Sequence, residues 1–173
     1  MYIYLQPIGE IPNNILDHLS KALEERFGVS VKARPRIDIP EEAYNKARGQ
    51  YHSTPILDSL KVNIPEDADK VLGIIDKDLY VPELNFVFGE ADLSFGVALI
   101  SLSRLKQEFY GLSKDDRIFF KRAVKEAVHE LGHTYGFRHC RNSKCVMFFS
   151  NSLADTDRKG ADFCEDCRRK SKS

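Results

Sequence analysis

The sequence predicts a mixed α/β (α+β) fold: one domain in which helices pack against a twisted, mixed β-sheet. Alternating apolar patterns of period two and period 3.6 follow one another along the first half of the chain, which favours strands and helices in alternation. The 173 residues are 42% hydrophobic and 30% charged, as is typical of a single globular domain with its own core. Helices that alternate with strands cover the faces of a sheet.

The elements of the first half can be assigned in order. A helix is expected from Pro12 to Phe27, because apolar residues recur at helical spacing and Gly28 follows as a terminator. A second helix is expected over residues 41–49, and a short turn or helix over 54–60. Alternating or continuous apolar runs predict strands over residues 2–7, 29–34, 70–75, 84–89 and 96–102.

A long helix is expected from about Ser113 to Tyr135. Ser113 can cap its first turn, and Asp115 and Asp116 suit the positive end of its dipole. Its core face is supplied by Phe120, Val124, Ala127, Val128 and Leu131. After this helix the chain is rich in loops, with one further short helix expected over residues 155–170.

Three histidines, a glutamate and a glycine at the end of the long helix have the spacing of a catalytic zinc site. His129 and His133 are four residues apart and project from one face of a helix, where both imidazoles can reach one metal ion. Gly136 can adopt a left-handed conformation and turn the chain so that His139 becomes a third ligand. Glu130 lies off the metal axis, where it can meet the attacking water. Three ligands leave the open position of a catalytic zinc.

All four cysteines of the chain follow this motif, as C-x4-C and then C-x2-C. Cys140, Cys145, Cys164 and Cys167 have the spacing of a structural, four-thiolate zinc site. Two disulfides are the alternative. The first residues carry no basic segment, long apolar run or cleavage site of a secretory signal, so we expect a cytoplasmic protein with reduced thiols. Zinc is therefore preferred to disulfides.

The combined string HExxHxxGxxHC-x4-C-x-M, with a later C-x2-C, resembles the archaemetzincin family of metzincin metallopeptidases. The resemblance implies a single metzincin-like domain, with the sheet and active-site helix in residues 1–136 and a cysteine-pinned subdomain in residues 137–173. It also implies two zinc ions per chain, one catalytic and one structural, and peptidase activity on peptides or unfolded polypeptides. Met147 would be the Met-turn residue, which is also compatible with an ordinary core methionine.

The resemblance assigns substrate contacts as well. In this fold an edge strand lies above the cleft and pairs with an extended substrate, a role that falls on the expected strand 84–89; a plain core strand is the alternative. Phe148 and Phe149 would wall a pocket or be buried in the core. Phe149 has no hydroxyl, which excludes assistance by a tyrosine at that position. The substrate-contact candidates are Phe86, Val87, Phe88, Gly89, Phe148 and Phe149.

The expected mechanism is hydrolysis in which Glu130 takes a proton from water and returns it to the leaving amine. A catalytically silent, zinc-stabilised protein that binds peptides or proteins is the alternative; the intact Glu130 argues against it. A docking module built on the cysteines and the basic residues 168–173 is a further alternative, with those last residues more simply a frayed tail. The formal net charge of +0 argues against nucleic acid as a partner.

No apolar run approaches the roughly 20 residues that a membrane span requires, so no membrane partner is expected. We expect a monomer.

Overall fold

The computed structural model of the protein describes residues 1–170. The strands are β1 Tyr2–Ile8, β2 Val31–Ala33, β3 Tyr44–Asn45, β4 Gln50–His52, β5 Ala68–Ile75, β6 Leu79–Tyr80, β7 Gly89–Asp92 and β8 Val97–Ser101. The α-helices are α1 Asn13–Phe27, α2 Ser53–Lys61, α3 Asp116–Thr134, α4 Leu153–Arg158 and α5 Glu165–Lys170. Short 3₁₀ helices occur at Glu41–Ala43, Ser103–Leu105 and Gln107–Tyr110.

The main sheet is mixed, as expected, and has the order β2-β1-β5-β8-β7. The first four strands are parallel, and β7 runs antiparallel to β8 at one edge, with Gly89 opposite Ile100. The neighbouring strand β8 is buried along its whole length, and β5 is buried over its last five residues. The strands β2 and β7 form the two edges of the sheet, and β7 is the edge strand that contacts α3.

Helices cover both faces of this sheet. On one face, α1 and α3 pack together in a core that includes Leu5, Leu19 and Val128. On the other face, Leu57 and Leu60 of α2 pack against the sheet. Burying one apolar stripe of each helix against the sheet produces the three layers. Among the described residues, no helix is long and apolar enough to cross a membrane.

The edge strand β7 is tied to α2 at both ends. The carboxylate of Glu90 accepts hydrogen bonds from the hydroxyls of Ser53 and, at 3.0 Å, Thr54, at the start of α2. At the other end of α2, Lys61 lies 2.7 Å from a carboxylate oxygen of Asp92. The negative charge of Glu90 is favourable at the positive end of the helix dipole. These contacts hold an edge strand that has a neighbour on one side only.

Several sequence-based expectations are confirmed, and others are wrong. Strand 84–89 is wrong: Val87 forms an isolated bridge to Leu79, and the edge strand begins only at Gly89. Helix 41–49 is also wrong, because a single 3₁₀ turn leads into the antiparallel hairpin β3–β4. There the side-chain oxygen of Asn45 accepts hydrogen bonds from two following backbone N–H groups, which favours a turn over a helix.

The single short helix expected over residues 155–170 is two helices, α4 and α5. Between them Lys159 is extended, and the backbone N–H of Gly160 donates to the carbonyl of Lys144 at 2.9 Å. A Cβ at Gly160 would lie 2.8 Å from that carbonyl oxygen, so this close approach requires glycine. Of the basic segment 168–173, residues 171–173 lie outside the described part of the chain.

The long helix α3 begins at Asp116 and is capped by Asp115, so the expectation of a Ser113 cap was wrong. The Asp115 carboxylate accepts from the N–H groups of Arg117 and Ile118 at 3.0 and 3.1 Å. Phe120 is only half-buried, and Phe119 takes the buried position on the core face.

We expect Asp115→Ala to destabilise the protein by about 1 kcal/mol, because two N–H groups lose their acceptor at the positive end of the helix. Calorimetry should show a melting temperature about 2–4 °C lower. The matched control is Ser113→Ala, which should not change the melting temperature; an equal fall in both variants would contradict the assignment of the cap.

Candidate active site

The helix α3 carries two of the three expected histidines and the glutamate in its last two turns. His129 and Glu130 are buried, and His133 is half-buried. The helix ends at Thr134, and Gly136 follows with φ +86°, in the left-handed region that favours glycine. The resulting turn brings the exposed His139 back toward the helix.

The three imidazoles form one cluster. Ring centroids are 4.7 Å apart for His129 and His133, 4.9 Å for His133 and His139, and 5.4 Å for His129 and His139. One nitrogen from each ring can be chosen so that all three lie within 4.8 Å of one another. The structure thus brings together the three residues that the sequence spacing selected.

Backbone carbonyls orient the two helical imidazoles. Nδ1 of His129 lies 2.8 Å from the carbonyl oxygen of Val146, and Nδ1 of His133 lies 2.8 Å from that of Phe137. A carbonyl cannot donate, so each Nδ1 carries the proton and each Nε2 keeps a free lone pair. Burial also lowers the pKa of all three histidines, which favours the neutral imidazole that binds metals. The donor set therefore fits a zinc ion.

Glu130 is buried beside this cluster. Burial raises the pKa of its carboxyl to about 8; the charges of Glu126 and Glu90 act in the same direction, and Lys159 opposes them. The positive charge of a bound metal would lower this pKa. A buried carboxylate of raised basicity suits a group that must both accept and release a proton near neutral pH.

The edge strand comes so close to Glu130 that only glycine fits at its first position. A Cβ on Gly89 would lie 2.6 Å from Cγ of Glu130 and 2.5 Å from the carbonyl oxygen of Leu99. Side chains do not reach such distances without displacing their neighbours. Gly89 was expected to contact substrate; the structure shows in addition that it sets the gap between the edge strand and Glu130.

We expect Gly89→Ala to destabilise the protein by about 1–3 kcal/mol, because the new methyl group clashes with a backbone oxygen and displaces Glu130. With Glu130 in the catalytic role that the sequence predicts, hydrolysis should fall about 100-fold, since small displacements of a catalytic group have effects of this size. Zinc content should be unchanged, as no histidine is touched.

The control for the added methyl group is Gly28→Ala, where a Cβ meets nothing within 4 Å and only the left-handed backbone is strained. Thermal unfolding, zinc analysis and peptide hydrolysis of both variants check this prediction. Full activity of Gly89→Ala would contradict it.

Met147 packs against the active-site helix between the two histidine positions. It is fully buried, and a Cβ on Gly132 would lie 2.5 Å from its sulfur. Its carbonyl oxygen accepts from the N–H of Cys140 at 2.9 Å, which ties this turn to the residue after His139. Gly132 was not selected from the sequence, although its place inside the HExxH string is compatible with close packing.

The four cysteines form a second cluster and make no disulfide. The four sulfur atoms all lie within 4.8 Å of one another. The sulfurs of Cys140 and Cys164 are 3.8 Å apart, and so are those of Cys145 and Cys167. A tetrahedral site with Zn–S bonds of about 2.3 Å has edges of about 3.8 Å. The N–H of Cys167 lowers the pKa of Cys164 to about 7, which favours the thiolate, whereas burial raises the pKa of Cys145 and of Cys167. Sulfur geometry therefore fits zinc.

A cavity of about 180 Å³ opens beside Glu130, and we refer to it as the active-site cavity. Four of the expected substrate contacts (Phe86 to Gly89) and Phe149 line it, whereas Phe148 does not. The Phe149 ring is exposed and lies 4.8 Å from that of His139. The remaining lining residues are Leu84, Asn85, Glu126, His129, Glu130, Ser150 and Asn151.

Glu126 and Ser150 were missed by the sequence reasoning. Glu126 precedes Glu130 by four residues, a spacing that places both carboxylates on one face of the helix and could have identified it. Ser150 lies three residues after Met147, and the sequence carries no signal that distinguishes it.

The mixed sheet, the HExxH-bearing helix and the histidine cluster together define the class of zinc metallopeptidases. The sequence matches peptidase family M54 over residues 3–173. It is 49% identical to the archaemetzincin of Methanocaldococcus jannaschii over 98% of this chain and 92% of that protein. It is 46% identical to the archaemetzincin of Pyrococcus furiosus over 97% of this chain and 91% of that protein.

Solved structures support the same family assignment. The archaemetzincin of Archaeoglobus fulgidus in complex with malonate superposes with a TM-score of 0.84 at 40% identity, covering 98% of this chain and 99% of that chain. A zinc-dependent peptidase of Methanocorpusculum labreanum superposes with a TM-score of 0.88 at 32% identity, with the same coverage of 98% and 99%. The chain therefore belongs to peptidase family M54, the archaemetzincins.

Proposed function

We propose that this protein hydrolyses peptide bonds with a zinc ion held by His129, His133 and His139 and with Glu130 as general base and acid. The observation that supports this most directly is the cluster of neutral imidazoles beside the buried carboxylate of Glu130. Zinc bound there would act as a Lewis acid toward the scissile carbonyl and the attacking water.

The chain's own residues supply the rest of the chemistry. Glu130 accepts the proton of the attacking water and passes it to the leaving amine, so no covalent intermediate with the enzyme is required. The free edge of β7 offers unpaired N–H and C=O groups, and an extended substrate adds there as one more strand. Val146 and Phe137 hold the imidazoles in one orientation through their carbonyls.

In this proposal a second zinc ion is structural and is bound by the four cysteines. Residues 1–136 and 137–173 act as two parts of one catalytic unit, since the second part supplies His139 and the Met-turn residue Met147. Substrates are peptides or unfolded polypeptides, and the protein works as a monomer in the cytoplasm, without nucleic acid or a membrane as partner.

The test is mass spectrometry of a diverse peptide library after incubation with zinc-loaded protein, with Glu130→Ala as the control. Cleavage by the parent alone supports a peptidase, and the positions of the cuts separate endopeptidase from aminopeptidase action. If zinc is bound but neither protein cleaves, the hydrolysis proposed here fails and a silent peptide-binding role takes its place.

A further inference from the structure

One polar group that lines the active-site cavity, and one that pairs with a lining residue, have no hydrogen-bond partner. Within residues 1–170, the buried side-chain nitrogen and oxygen atoms that lack a hydrogen bond are Nζ of Lys159 and Oγ of Ser150. Ser150 lines the cavity, and Lys159 pairs with Glu126, which lines it too. Buried polar groups are nearly always hydrogen-bonded. Of these two groups, the Ser150 hydroxyl belongs to a residue that lines the cavity, where a bound side chain can partner it.

Glu126 presents one occupied and one available oxygen. Its Oε1 accepts from the hydroxyl of Thr156 at 2.9 Å and lies 3.1 Å from the ammonium of Lys159, an ion pair without hydrogen-bond geometry. Its Oε2 has no donor anywhere in the described part of the chain. Glu126 is 2% exposed and Lys159 is fully buried, so the pair is held inside the protein next to Glu130.

The carboxylate of Glu126 is already paired with the ammonium of Lys159. A cationic side chain would have to compete with Lys159 for that carboxylate and give up its own hydration. An acidic side chain would be repelled by the carboxylates of Glu126 and Glu130. A neutral side chain that can donate a hydrogen bond meets neither penalty, and it supplies the donor that Oε2 of Glu126 lacks.

The remaining walls are apolar. Phe86, Val87, Phe88 and Phe149 can contact methylene groups. At about 180 Å³ the cavity is smaller than pockets for whole small molecules and is of a size for one side chain. Methylene groups that end in a neutral hydrogen-bonding group match this combination of walls and floor.

We infer, on the basis of the proposed peptidase function, that the active-site cavity selects a carboxamide side chain of the substrate, glutamine or asparagine. The amide N–H₂ donates to Oε2 of Glu126. The amide oxygen accepts from the Ser150 hydroxyl after a rotation about the single side-chain torsion of that serine. Lys159 is the positioning residue that holds Glu126 in place and balances its charge.

The experiment measures peptide binding, so that it does not depend on hydrolysis. Four pentapeptides, Ac-Ala-Ala-Xaa-Ala-Ala-NH₂ with Xaa as Gln, Leu, Lys or Glu, are titrated calorimetrically into zinc-loaded Glu130→Ala protein. Only one side chain in each peptide exceeds a methyl group, so the comparison holds in whichever register the peptide binds. The glutamine peptide should bind at least about tenfold more tightly than the other three.

Two further variants in the Glu130→Ala background locate the effect. Ser150→Ala should reduce the preference for glutamine over leucine at least about threefold, whereas the remote Ser59→Ala on α2 should retain it. Glu126→Gln leaves the charge of Lys159 unpaired and should shift the preference from glutamine to glutamate. If Glu126→Gln does not fold, the effect of Ser150→Ala on the preference for glutamine still tests the inference.

The outcomes separate this inference from the proposed function. Leucine binding as tightly as glutamine, or no binding of any of the four peptides, overturns the inference. If the parent protein cleaves the leucine peptide as well as the glutamine peptide, the peptidase proposal stands without the selectivity. If the glutamine peptide binds preferentially but the parent protein does not cleave it, the selectivity is supported and the proposed peptidase function is contradicted.

Discussion

Glu130→Ala is expected to reduce peptide hydrolysis about 10²- to 10⁴-fold while the protein still binds zinc through its three histidines. The expected loss is that of a general base that acts at the reacting centre. Zinc should remain, because the Nδ1 contacts that orient His129 and His133 are made by backbone carbonyls and not by Glu130. The measurements are initial rates on a cleaved library peptide and zinc content by elemental analysis.

The matched control is Glu25→Ala, which removes an exposed glutamate on α1, away from the active-site cavity. It should hydrolyse the peptide at the parental rate. If Glu130→Ala retained a rate within a few-fold of the parent at equal zinc content, Glu130 would not be the base. A loss of zinc together with activity would assign Glu130 a structural role instead.

Cys145→Ser is expected to remove one of two zinc ions and to lower the stability by at least about 4 kcal/mol, since structural zinc contributes directly to folding. The melting temperature should fall by about 10 °C or more. Activity should fall too, because the carbonyl of the neighbouring residue Val146 orients His129. In the same loop the N–H of Cys140 donates a hydrogen bond to the carbonyl of Met147. Calorimetry and elemental analysis check both effects.

The control in the same loop is Asn142→Ala, which removes a turn contact to Lys144 but none of the sulfurs. This variant should keep two zinc ions per chain. Two zinc ions in Cys145→Ser, or one in the parent protein, would contradict the four-thiolate site.

The histidine and cysteine positions were accessible from the sequence for a local reason. The separation of His129 and His133 is fixed by the helix itself, and Gly136 supplies the turn that brings back His139. Four cysteines in two close pairs likewise limit the possible sites. The strands β1, β5 and β8 were accessible because their apolar residues are continuous or alternate.

What was missed depends on contacts between distant parts of the chain. The segment 84–88 is mostly apolar, like a buried strand, but its apolar side chains line a cavity and pack on each other, with the rings of Phe86 and Phe88 5.1 Å apart. Lys159 lies 33 positions after Glu126, and nothing in the sequence marks either as buried. The clearance at Gly89 exists only once the sheet has been placed against α3.

The residues at positions 132 and 147 compete for the same space in the core, because the sulfur of Met147 lies where a side chain at position 132 would begin. Any side chain added to the helix at Gly132 takes space that the sulfur of Met147 now fills. A side chain at position 132 is therefore compatible with the fold only when the residue at position 147 becomes smaller, so the two must be substituted together in any redesign of the site. A library that varies only one of the two positions should contain mainly destabilised proteins. A library that varies both positions together includes alternative packings of the same volume.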